Sequence, residues 1–155
     1  KLPAQNSLFY CWVQLESAYH MVLDRLEQVD EEIFKTPIGE GSTFGRVLIG
    51  NTFIHWLDHM IHWYLEHNDQ ENAERLLDLE MRGLLGYDSS PNTQAVAKYN
   101  QACFFAKTCQ NDKAVRLLSE AFQLRPNLVD WSRKDPDLLT LHGYSEYEKL
   151  YTEAG

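Results

Sequence analysis

Apolar residues recur every three or four positions along most of this chain, and polar breaks cut that rhythm into segments. Leu8, Trp12, Leu15, Tyr19, Val22, Leu26 and Val29 form the first stripe. It predicts an amphipathic helix from Ser7 to Ile33, with Ser7 as its N-cap. The acidic run Asp30-Glu31-Glu32 sits badly at a helix C-terminus, where the dipole is negative, and suits the start of a new turn instead. Lys35 to Ser42 holds Pro37, Gly39 and Gly41 and reads as a loop, with Ser42 or Thr43 capping the next helix. That helix, Phe44 to about His67, carries Phe53, Trp56, Trp63 and Tyr64 among aliphatic residues. Apolar groups cover most of its circumference, which predicts a central helix contacted on several sides. Gly50 within it marks either close helix packing or a kink.

His67-Asn68-Asp69-Gln70 ends this helix, and a second polar break, Gln110-Asn111-Asp112, ends a later one. The segments after the two breaks align. Ala73 matches Ala114, Arg75 matches Arg116, Leu77 matches Leu118, and Tyr64 before the break matches Phe105, an offset of 41 residues. The loop Gly86–Asn92, rich in turn formers, accommodates the length of that spacing. Each half predicts a helical hairpin. Ala102 and Ala121 are expected at close helix crossings, because small residues let backbones approach.

Tyr99, Asn100, Ala102, Phe105, Ala114, Leu118, Ala121 and Pro126 carry the pattern of a repeat. Over residues 95–126 the chain resembles a tetratricopeptide repeat (TPR), a unit of about 34 residues. There are departures. Lys98 replaces a large apolar residue and Cys109 stands where the turn usually has glycine; in the earlier, degenerate repeat Ile61 and Glu80 stand where small residues are usual. The resemblance implies an all-α fold of TPR-like antiparallel hairpins, with capping helices after the last repeat. Under this reading the chain is a single helical domain. Residues 7–34 form the N-terminal helix, 44–85 a degenerate repeat, 95–126 the clearer repeat and 128–152 the caps, about seven helices in all. Ser145 is expected to cap the closing helix, and Asp135-Pro136 to break the one before it.

The resemblance further implies a non-enzymatic module that binds a protein or peptide segment on its concave face. The first helices of the two hairpins would line that face, which selects His55, His59, His62, Lys98, Asn100 and Gln101 as partner-binding residues. In repeats that grip a terminal carboxylate, an asparagine stands at the place of Asn100. Its companions would fall at Asp58 and His62, which do not match, so such a grip is not expected.

Composition changes the picture modestly. The chain has 155 residues and a formal net charge of -9, which disfavours non-specific nucleic-acid binding. No apolar run approaches the ~20 residues that cross a bilayer. Cys11, Cys103 and Cys109 lack a metal-binding spacing, so a reducing, cytoplasmic setting is expected. The chain starts at Lys1 and is expected to be a piece of a longer protein.

Phosphate loops and nucleophile elbows are absent from the sequence, and Ser42 in GEGSTFG suits a cap better than a nucleophile. The histidines offer the only other chemistry. His55, His59 and His62 share one helical stripe, but on a straight helix His55 and His62 are ~10 Å apart along the axis. Glu16 and His20 are likewise spaced i, i+4. These residues either hydrogen-bond within an aromatic interface, line a groove, or, as Glu16, His20, His55 and His59, hold Zn or Ni between two helices. The last alternative accompanies a second resemblance. EEIFKTPIGEGSTFGRVLIG is weakly similar to DinB-like helical bundles, over residues 7–67. Such bundles often hold a metal with three histidines, although the usual tryptophan and histidine around the cap are absent here.

Overall fold

The computed structural model describes residues 8–39 and 42–153. The fold is all-α, as expected. Among the described residues there is no strand, only an isolated bridge between Pro37 and Thr43. The chain divides into two units between Leu48 and Ile49.

The first unit holds α1 (Leu8–Glu27) and α2 (Glu31–Phe34). The acidic run does begin a new turn, so the expected long helix is two helices. Asp30 caps α2 by accepting from the Glu32 amide at 3.0 Å. The expected cap of α1, Ser7, lies outside the described residues. Phe9, Trp12, Leu15 and Tyr19 on α1 are exposed. The loop after α2 folds back so that the Phe44 amide donates to Thr36 at 2.9 Å. Thr43 Oγ1 accepts from the Arg46 amide at 3.3 Å and so caps α3 (Phe44–Ile49).

The second unit opens with a wide π turn, Gly50–Ile54, that leads into α4 (His55–Glu66). A Cβ at Gly50 would meet nothing within 4 Å, so close packing is excluded and the local departure from α geometry is its role. The close approach lies elsewhere. A Cβ at Gly83 would come within 2.3 Å of the Phe53 ring, so that ring rests on a glycine of α5 (Gln70–Tyr87).

α6 (Pro91–Lys107) and α7 (Asn111–Leu124) form the next hairpin. α6 starts earlier than the sequence pattern suggests. Pro91, read from sequence as a turn residue, opens the helix, and Ser90 caps it by accepting from the Thr93 amide at 3.3 Å. The chain closes with α8 (Leu128–Ser132), a 3-10 segment Pro136–Leu141 and α9 (Ser145–Glu153). Asp135-Pro136 breaks the helix as expected. Ser145 is the first residue of α9 rather than its cap.

The turns of the two hairpins are duplicates. Asn68 and Cys109, 41 positions apart, both have a φ of 58°. The amide of the next residue donates five residues back in each case, Asp69 to Tyr64 at 2.9 Å and Gln110 to Phe105 at 2.8 Å. This is the left-handed helix ending in which glycine is commonest, here supplied by asparagine and cysteine.

The core has two parts, and α6 serves both. Ala97 and Phe104 pack with Ile61 of α4 and Ala73, Leu77 and Met81 of α5. Tyr99, Ala102, Cys103 and Ala106 pack with Ala114, Leu118, Ala121 and Phe122 of α7 and with Leu138, Leu141 and Tyr147 beyond. Ala102 and Ala121 are fully buried, as expected. The expectation of a central α4 is corrected. Only Leu57 and Ile61 of α4 are buried, and Trp56 and Trp63 are exposed. The central helix is α6, whose alanines admit neighbours on both sides.

Candidate functional site: a cleft between the two hairpins

A cleft of about 560 Å³ lies in the second unit. α4 contributes Asp58, Ile61, His62 and Leu65, and α5 contributes Leu77 and Glu80. α6 supplies Val96, Tyr99, Asn100, Cys103, Phe104 and Lys107. The segment after α7 closes the far side with Arg125, Leu128, Trp131, Asp135 and Asp137. Helical spacing explains the α6 set. Residues 96, 99, 100, 103, 104 and 107 form one continuous stripe.

Most polar groups at the C-terminal side of this cleft are tied to one another. Asp135 Oδ1 accepts from the Asp137 amide at 2.9 Å and caps the 3-10 segment, while Oδ2 accepts from the Tyr99 hydroxyl at 2.7 Å. Burial, reinforced by that bond, pushes the Tyr99 phenol upward from its ordinary value. Lys107 pairs with Asp137 at 2.7 Å. Arg125 Nε donates to Asn127 at 2.9 Å. Cys103 is buried and pushed up to about 12, first by burial and then by Asp135 and Asp137. It is therefore a neutral thiol and a packing residue, not a nucleophile. The Cys103 sulfur and the Asp135 and Asp137 carboxylates lie within 4.8 Å of one another. Both acids already have partners and the thiol keeps its proton, so the capping turn and the ion pair account for this grouping.

Glu80 is different. It is 2% exposed, and its Oε2 accepts no hydrogen bond. Burial, with Asp58 as the second cause, pushes its carboxyl up from 4.5 to about 7. Glu80 occupies the position that matches Ala121 in the following hairpin, at the same offset of 41. Ala121 is fully buried in the core. An acid thus fills an alanine slot.

Of the six residues selected from sequence, His62 and Asn100 line the cleft. His55 and His59 are exposed on α4, with their Nε2 atoms 3.2 Å apart and their rings edge-on at 4.5 Å. Lys98 is half-buried and pairs with Glu120 of α7 at 2.5 Å, and Gln101 does not line the cleft. The alternative metal set divides between the units, with Glu16 and His20 in the first and His55 and His59 in the second. Sequence reasoning missed Asp58, Glu80 and Trp131. The only signal was Glu80's conflict with its repeat position.

A scan against known protein families matched none, and searches of curated proteins and of solved structures found no match.

Proposed function

We propose that the second unit is a TPR-like, non-enzymatic protein-interaction module that holds an extended partner segment in the cleft between its hairpins. The observation that carries this reading is the duplication. Two hairpins with the same turn geometry place their first helices, α4 and α6, along one open cleft. The lining suits a peptide. Asn100 and His62 can donate to and accept from an extended backbone, and Trp131, 69% exposed, offers an aromatic anchor. The reading favours binding over catalysis because the thiol is neutral and Asp135, Asp137, Lys107 and Arg125 already have partners within the chain. A cytoplasmic location belongs to the same proposal.

Selection of phage-displayed peptides on the full chain tests it. Peptides are expected to be enriched whose binding weakens by about tenfold in Asn100→Tyr, a change at an exposed position that fills the cleft without touching the core. Failure to enrich any peptide refutes the reading. So does binding that tolerates Asn100→Tyr but is lost when Arg75 and Arg116 are reversed in charge.

A second reading, a histidine-centred Zn or Ni site, has one supporting observation, the close His55–His59 pair. Elemental analysis after mild dialysis decides it. Stoichiometric metal lost in His55→Ala supports it, and its absence from wild type refutes it.

A further inference from the structure

We propose that the Glu80–Asp58 end of the cleft is a receptor for one basic side chain, lysine or arginine, of the bound segment. The inference rests on the segment-binding reading and names what that segment must carry.

Charge within the cleft is unevenly matched. On α6, Tyr99 donates to Asp135, Lys107 pairs with Asp137 and the Cys103 thiol is neutral. After α7, Arg125 donates to Asn127. Lys107 and Asp137 neutralise each other, and Asp135 and Arg125 each have a neutral hydrogen-bond partner. From α4, Asp58 and His62 face the cleft, and no hydrogen bond or ion pair ties either of them among the described residues. From α5 comes Glu80, whose Oε2 is buried without a partner. The α4–α5 end therefore presents two acids with which no cation pairs among the described residues. A buried acceptor left unpaired is destabilising, and a donor from outside the chain removes that cost.

The surroundings select the shape of the donor. Ile61, Leu77 and Phe104 line the cleft alongside Glu80. An aliphatic stem can lie along such walls while its charged head reaches the carboxylates, as lysine and arginine do elsewhere. A metal ion is a poorer fit, because it would need further oxygen ligands where these apolar groups stand.

Glu80 is pushed up to about 7, so below that pH an arriving cation must displace its proton, and above it the carboxylate is already charged. Binding should then be about tenfold tighter at pH 8 than at pH 6. His62 lines the same cleft and would also repel a cation when protonated, so its contribution is separated by His62→Gln.

The test uses the full chain and simple probes, n-butylammonium and n-propylguanidinium, with n-butanol as the neutral control. Amide shifts in 1H–15N spectra are followed during titration. Saturable shifts at residues 58–62 and 77–81 are expected with both cations and not with butanol. Glu80→Gln should weaken binding about tenfold and, in a His62→Gln background, abolish its pH dependence, and Asp58→Asn should weaken it severalfold. Glu71→Gln, which removes the same charge at an exposed position on α5, should change nothing. Equal shifts with butanol, or full binding by Glu80→Gln, overturn the inference. Selected peptides that lack lysine and arginine yet respond to Asn100→Tyr overturn it while leaving the segment-binding reading intact. Cation binding without any enriched peptide also overturns it, because the occupant is then a free organic cation.

Discussion

Glu80→Gln should stabilise the protein increasingly as pH rises. In the folded chain the carboxyl is pushed up to about 7, whereas its ordinary value is 4.5. Between these values the folded protein holds a proton that the unfolded chain has released. Stability therefore falls as pH rises through that window and levels off above it. With a shift of that size, the ionisation cost grows by roughly 2–3 kcal/mol between pH 5 and pH 8. Glutamine has nearly the same shape and no charge, so the variant escapes this cost. Its amide is not free of cost in a buried, unpartnered place, but that penalty does not vary with pH. The quantity to read is thus the change in the stability difference, not its absolute value. Thermal melts of both proteins across this range should show the variant's advantage widening by roughly 5–10 °C for a chain of this length. A gap that stays constant with pH would refute the reasoning, since it would mean that Glu80 ionises in the folded state as readily as in the unfolded one.

Other outcomes follow from the packing. Cys109→Gly should stabilise by about 1 kcal/mol in chemical denaturation, because Cys109 holds a φ of 58°; Asn68→Gly, at the matching turn, should gain less, since asparagine tolerates that conformation. Ala102→Leu should cost on the order of 1–3 kcal/mol, and an unchanged melting midpoint would contradict the fully buried crossing. Gly83→Ala should reverse sign with its partner. It should destabilise wild type, where the new Cβ meets the Phe53 ring, and stabilise Phe53→Ala by about 1 kcal/mol through helix propensity.

The helices and the repeat were legible because they rest on local spacing. Apolar periodicity placed α4 to α7, and the matches from Tyr64–Phe105 to Leu77–Leu118 anticipated turns that proved geometrically alike. What was not legible depended on contact between distant residues. The aromatic content of residues 44–67 suggested a buried helix, yet a helix is buried by what its neighbours can approach, and alanines give that place to α6. Gly50 and Gly83 look alike in sequence, and only the position of the Phe53 ring tells them apart. The cleft was half legible. His62 and Asn100 followed from the expected register, whereas Lys98 is paired with Glu120 of α7. Asp58 and Trp131, far apart in the sequence, acquire meaning only because both line one cleft.

The matching slots of the two hairpins bring stability and function into direct comparison. In the later hairpin the slot holds Ala121, fully buried, with no polar atom to satisfy beyond its backbone. In the earlier one it holds Glu80, equally deep, with an oxygen that accepts no hydrogen bond and an ionisation that folding suppresses. Helix packing favours a small residue there. Ile61, which matches Ala102 in the register, also departs from it, but Glu80 is the departure that buries a charge-bearing group. Such conflicts are expected at functional sites, where a local cost is offset when the ligand arrives. The cleft supplies the geometry for that offset, since the misplaced acid opens into it beside a second carboxylate and apolar walls. A repeat built only to cap its neighbour would gain by replacing Glu80 with alanine. The same replacement in a receptor for a basic side chain would gain stability and lose its ligand. Stability and binding should therefore move in opposite directions at this position, and together at Ala102 and Ala121.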